Sequence, residues 1–168
     1  LEDAGFAAYR VGGCVRDLLR GCAPGDWDMT TAAPPQEMLS LFGAQARPTG
    51  LKHGTVTVTE AGMHFEITTF RVDGGYADHR HPEHVTFTAC LAEDLKRRDF
   101  TVNAMAMDRH GTLTDLFGGQ RDLQNRVLRC VGAPEQRFDE DALRILRLLR
   151  FSSSLGFTAE EATAAAAR

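Results

Sequence analysis

The chain has 168 residues, 43% of them hydrophobic and 25% charged, with a formal net charge of -4; this suits one globular domain, or one domain plus the start of another. The balance excludes a surface that binds polyanions everywhere, yet leaves room for a local basic cleft, because the 19 Lys and Arg are clustered. No apolar run approaches a membrane span and no basic-then-apolar leader is present, so a cytoplasmic protein with no membrane partner is expected.

Phe6 to Val11 reads as a strand that enters a Gly12-Gly13 turn, and Val15 to Arg20 as the helix that follows. Paired glycines let successive backbone N–H groups crowd an anion with no Cβ in the way, and Arg16 lies one helical turn on, so the arrangement describes a phosphate seat. After a Pro-Gly turn come Asp26 and Asp28, separated by Trp27. On a strand, residues i and i+2 share a face, so both carboxylates point one way while Trp27 turns to the core. Taken alone, a Gly-Gly pair is commonly a tight turn and an Asp-x-Asp commonly a solvated loop. Together, and in this order, they describe a divalent-metal site beside a triphosphate seat. The four cysteines, Cys14, Cys22, Cys90 and Cys130, have neither a C-x-x-C pair nor zinc-like spacing and are expected to be reduced.

Pro34-Pro35 signals a helix entry, and Gln36 to Phe42 a short amphipathic helix. From Gly54 to Phe70 the period changes to two: Val56 and Val58 alternate with threonines, Glu60-Ala61-Gly62 turns, and His64 to Phe70 returns. Phe65 and Ile67 face one way and Glu66 the other. If this hairpin lies beside the Asp26 strand, Glu66 is a candidate third acid; otherwise it is an exposed strand residue. Arg71 to Glu83 is a glycine-rich polar loop, read as a mobile basic loop near a cleft. Its histidines His79 and His81, with His84 just beyond, match no standard zinc spacing.

Lys96, Arg97 and Arg98 precede Asp99, and Asn103 sits in an apolar-alternating run, where a buried amide needs partners and often grips a ligand or a neighbouring loop. Asp115 to Gly119 is a turn, and Arg121 to Val131 closes a first domain. In FDEDALRILRLLRF, Asp141, Arg144, Arg147 and Arg150 recur every third position and the residues between are apolar. A helix apolar around most of its remaining circumference is expected to be buried on most sides, with its arginine row facing a cleft and not bulk water. Such a row suits phosphates, and an Asp/Arg pair suits the edge of a base; the alternative is a salt-bridged surface stripe. No P-loop or kinase signature is present.

VGGCVRD with DWD, KHGTVTV, EITTFR, RRDFTVNAMA, DLFGG and RFDEDALRILRLLRF together resemble the class II tRNA nucleotidyltransferases, the CCA-adding enzymes and their bacterial poly(A) polymerase relatives in the polymerase β-like superfamily. The resemblance implies an α+β fold: a nucleotidyltransferase head, a small mixed sheet flanked by helices, over residues 1–132, then the first helices of an all-α neck over 133–168. It implies that Asp26 and Asp28 bind the metal and that Glu66 completes the catalytic acids. It implies triphosphate or nucleotide contacts from Gly12, Gly13, Arg16, Arg98, Asp99, Asn103, Arg147 and Arg150, and a base-reading pair in Asp141 and Arg144. The implied cofactor is Mg²⁺, with Mn²⁺ acceptable to the same oxygens, and the implied chemistry is two-metal phosphoryl transfer with release of pyrophosphate.

The implied substrates are CTP and ATP and the implied partner is the 3′ end of tRNA. The alternatives are an A-adding enzyme or poly(A) polymerase of the same family, and an inactive nucleotide- or RNA-binding module. The stretch DGGYADHRHPEHVTF is full length, which favours CCA or terminal A addition over CC-only activity; His81 stands where arginine is commoner in the family. The body and tail that grip tRNA in the family are expected to belong to a longer chain.

Overall fold

Strand β1 (Ala8–Val11) runs into Gly12, whose φ of 75° and ψ of −134° strain any residue bearing a Cβ, and helix α1 (Gly13–Leu19) starts at the next position. The structure, a computed structural model, describes residues 1–76, 79–80 and 82–168; the expectation at His81 lies outside the described residues. Next come β2 (Trp27–Thr31), α2 (Pro35–Phe42), β3 (Ala46–Gly50), β4 (Thr55–Glu60) and β5 (Met63–Thr69). Proline at the first position of α2 gives up an N–H that has no helical partner there. Ala61 and Gly62 join β4 to β5 with φ of 50° and 79°, the backbone of a two-residue hairpin turn.

The short strands β6 (Arg71–Asp73) and β7 (Val85–Phe87) are followed by α3 (Leu91–Lys96), β8 (Met105–Met107), β9 (Leu113–Asp115), α4 (Gly119–Gln124) and β10 (Val127–Leu128). The chain then passes through α5 (Pro134–Glu140), α6 (Leu143–Leu155), β11 (Thr158–Ala159) and α7 (Glu161–Ala166). Seven strands form one sheet in the order β3-β4-β5-β2-β1-β8-β9. It is mixed, as expected: β2 and β5 run parallel, and the other neighbours are antiparallel. The parallel pair is possible because α2, β3 and β4 intervene between its members.

Alternation along β2 sorts the two faces. Met29 joins Phe65, Ile67, Val56 and Val58 in a cluster under Met38 and Leu39 of α2. On the other face Thr30 reaches α3, where its Oγ1 donates to Asp94 at 3.1 Å. Trp27, expected in the core, is half-buried and packs at the core's edge. The largest cluster combines Val15, Phe100, Val102 and Met105 with Phe138, Leu148, Phe151 and Phe157, and β10 pairs in parallel with β11, so the last helices share a core with the sheet. No helix among the described residues is long and apolar enough to cross a membrane.

Two expectations are corrected. The stretch from Arg71 to Glu83, read as a loop, begins in one strand of a two-stranded ribbon whose other strand follows it: Arg71 pairs with Phe87 and Asp73 with Val85. The Gly74 amide extends it by donating to the His84 carbonyl at 2.8 Å. Strands of three residues in a polar glycine-rich segment carry no visible period. Helix α6 is not buried on most sides: Leu143, Leu146 and Leu149 lie on its outer face, and the last two are 61% and 62% exposed. Leu148 and Phe151 enter the core, with Ile145 and Leu155 partly buried against it.

Candidate active site

The β1–α1 turn, the start of β2, the end of α3 and the start of α6 surround a cleft of about 540 Å³, in the size range of small-ligand sites. It is lined by Gly12, Gly13, Arg16, Asp26, Asp28, Arg98, Asp99, Asn103, Asp141, Arg144, Arg147 and Arg150, so the structure brings the acids near the start of the chain to the arginine row near its end. Glu66 stands apart from the lining. It is the register partner of Asp28 on the adjacent strand, but its side chain is exposed.

The lining follows from local structure. At Gly12 an added Cβ would come within 3.4 Å of Arg98 Nη1 and 3.7 Å of Asp28 Oδ2, so the bare backbone keeps this wall open. Asp28 is half-buried: burial pushes its carboxyl above the usual carboxylate range, Arg98 and Arg147 pull it back, and the charge of Asp26 adds to the rise. A carboxylate that resists ionising beside another acid, open to a cleft, is relieved by a divalent cation, so the donor set fits one. Among the described residues no three His, Cys, Asp or Glu side chains converge to hold a metal, so the pair leaves the other coordination positions to substrate or solvent oxygens.

Asn103 has the partners its burial demands. Its Oδ1 accepts from Arg16 Nη1 at 2.8 Å and its Nδ2 donates to Asp99 Oδ1 at 3.3 Å. The other carboxylate oxygen of Asp99 takes Nε and Nη2 of Arg147 at 2.7 and 2.6 Å. A chain of hydrogen bonds thereby runs from Arg16 of α1 to Arg147 of α6 and ties the two sides of the cleft together. Asp141 Oδ1 accepts from the Leu143 amide at 3.0 Å at the start of α6. Arg144 is buried and directed inward, donating to Glu140, to the Arg137 carbonyl at 2.9 Å and to the Arg97 carbonyl at 3.1 Å. Arg147 and Arg150 line the cleft but are exposed. The polar stretch after β6 reaches this corner: His79 Nδ1 meets the Asp139 carbonyl at 2.6 Å, and the Ala142 amide donates to the His79 carbonyl at 2.9 Å.

Residues 8–129 match the family model described as the Poly A polymerase head domain. The chain belongs to that family. The chain is 58% identical over 163 residues to the CCA-adding enzyme of Lactobacillus helveticus, an alignment that covers 97% of the chain and 41% of that enzyme. The crystal structure of the Bacillus stearothermophilus CCA-adding enzyme in complex with CTP superposes with a TM-score of 0.91 at 48% identity, covering 99% of the chain and 40% of that one. A tRNA nucleotidyltransferase complexed with a primer tRNA and an incoming ATP analog gives a TM-score of 0.76 at 34% identity, over 99% of the chain and 47% of that one. The chain thus spans less than half the length of these relatives.

Sequence reading missed four residues that line the cleft or hold its arginines. Arg97 lines the cleft and pairs with Asp94 at 2.8 Å. Asp94 is fully buried and holds Arg98 as well, at 3.1 Å, but in the sequence it is one acid of a Glu-Asp pair at a helix start. Glu140 grips both Arg137 and Arg144. Phe151 lines the cleft beside Arg147 and Arg150. For Asp94 and Glu140 the one available signal was spacing, since Asp94–Arg98 and Glu140–Arg144 are each acid and base at i and i+4.

Proposed function

We propose that residues 1–132 are the catalytic head and residues 133–168 the start of the helical neck of a template-independent, cytoplasmic enzyme that adds C and A to the 3′ end of tRNA from CTP and ATP. The observation that carries this reading is the meeting of Asp26 and Asp28 with Arg144, Arg147 and Arg150 across one cleft. The likeness to a CCA-adding enzyme in complex with CTP supports it.

In this reading the Gly12-Gly13 backbone and Arg16 seat the triphosphate, with Arg98 and Arg147 beside it, and their charge complements the charge that develops on the phosphates. Asp26 and Asp28 hold Mg²⁺, or Mn²⁺, while Glu66, exposed and outside the cleft lining, is not among its ligands. A cation held there would supply Lewis acidity at the RNA 3′-hydroxyl and charge neutralisation at the pyrophosphate. Asn103 and Asp99 fix Arg16 and Arg147 so that alignment is set before the nucleotide enters. Asp141 and Arg144 present acceptor and donors to the base edge once Arg144 turns from its inward partners.

The test is incubation of the full-length protein with tRNA ending at the discriminator base, Mg²⁺, and CTP and ATP singly and together. Addition of CCA supports the proposal. Addition of A to CC ends only, or of long A tracts to unrelated RNA, replaces it with an A-adding enzyme or a poly(A) polymerase. No addition replaces it with an inactive binding module.

A further inference from the structure

Three guanidiniums converge on one aromatic ring at the cleft wall. The Cζ atoms of Arg16, Arg147 and Arg150 lie 5.3, 5.2 and 4.7 Å from the centroid of Phe151, although Arg16 comes from α1 and the others from α6. Phe151 is itself fixed, buried against Phe100 in an edge-to-face contact at 6.0 Å. The edges of the Arg16 guanidinium are taken: Asp17 accepts from Nε and Nη2 at 3.0 Å each, and Asn103 accepts from Nη1 at 2.8 Å. Its face is therefore what remains to meet the ring. For Arg150, among the described residues, the ring stands in place of a carboxylate partner within ion-pair distance. Like charges gathered at a cleft repel one another, and the negative face of a π-system opposes that repulsion without neutralising the charge a polyanion needs.

We infer that Phe151 is a positioning residue for the nucleoside triphosphate: its π-face holds Arg16, Arg147 and Arg150 together, aligned and still cationic, before the anion arrives. This rests on the reading of the cleft as a triphosphate site. A carboxylate in the same place would hold the arginines but compete with the phosphates. An aliphatic side chain would fill the space but leave Arg16 and Arg147 to their carboxylate and amide partners and Arg150 unaligned, and its ordering would fall to the binding step.

The experiment replaces Phe151 in the full-length protein with mono-, di- and trifluorophenylalanine, which drain the ring's negative face stepwise with little change in size, and adds Phe151→Leu. CTP binding with Mg²⁺ is measured by titration, KM and kcat by RNA extension, and folding by thermal melting. The dissociation constant and KM for CTP are expected to rise with each fluorine, reaching about tenfold at the trifluoro ring, while kcat and the melting temperature stay near wild type. Phe151→Leu should match or exceed the trifluoro variant; should it fail to fold, the fluorinated series decides alone. Wild-type binding with a flat response across the series overturns the inference and leaves the nucleotide reading standing. A wild type that neither binds CTP nor extends RNA overturns that reading, and the inference with it.

Discussion

Asp94→Asn removes a fully buried charge that holds two arginines. The Asp94 side chain is 0% exposed and those of its partners Arg97 and Arg98 17% and 18%, so solvent screens these pairs weakly. Oδ1 accepts from Arg97 Nε and Nη2 at 3.0 and 2.8 Å and from the Arg71 amide at 3.3 Å; Oδ2 accepts from Arg98 Nη2 and Thr30 Oγ1, both at 3.1 Å. Breaking a buried pair by deleting one partner costs about 3–5 kcal/mol, because the other charge is left uncompensated. The lower end applies here, since Arg97 keeps Asp73 at 3.4 Å and the amide can still accept one set of bonds. At 2–4 °C per kcal/mol for a protein of this size, a cost of about 3 kcal/mol lowers the melting temperature by roughly 6–12 °C.

The pH dependence has a definite sign. Burial pushes the Asp94 carboxyl up, but Arg98 and Arg97 outweigh it and leave it below its ordinary value of 3.8. A carboxylate lowered by folding contributes stability above its unfolded pKa and loses it as the pH falls through its folded one. The gap between wild type and Asp94→Asn should hold from neutral pH down to about 3.8 and narrow below it. Calorimetric melting of both proteins across that range is the assay. A drop of less than about 2 °C at neutral pH would refute the view of Asp94 as the charge that anchors the two arginines.

Other outcomes follow from single positions. Gly12→Ala forces a Cβ into a positive-φ backbone beside Arg98 and Asp28, so it should cost about 1–3 kcal/mol in urea unfolding and raise KM for CTP. Ala61→Asn, at φ 50° in the β4–β5 turn, should stabilise by roughly 0.5–1 kcal/mol with kcat unchanged, read as a higher urea midpoint. Asp28→Asn should raise the melting temperature of the metal-free protein at neutral pH. The fold raises this carboxyl's pKa, so its ionised form opposes folding above the unfolded value, and the gain should fade in acid.

Much of this was legible because chemistry and pattern coincided. The β4–β5 hairpin shows as alternating Val56 and Val58 followed by Gly62, and the register then sets Glu66 opposite Asp28 as the sequence allowed. Gly12, Asp28 and Arg98 announce themselves by order along the chain, and the fold brings them to one wall. What stayed hidden depends on enclosure, which a period does not report. Asp94 looks like a solvated helix acid until Thr30 and two arginines close around it. Leu146 and Leu149 looked like core for the same reason in reverse: apolar spacing marks a face but does not say whether anything covers it. Phe151 sat unnoticed behind the arginines that it supports.

The central claim is that the Asp pair and the arginine row form one nucleotide-transfer site, and the turnover of Asp28→Ala tests it most directly. With Mg²⁺ saturating, the full-length variant should add nucleotides to a tRNA 3′ end at least about a hundredfold more slowly than wild type while its melting transition remains cooperative. Near-normal turnover in that variant would contradict the account.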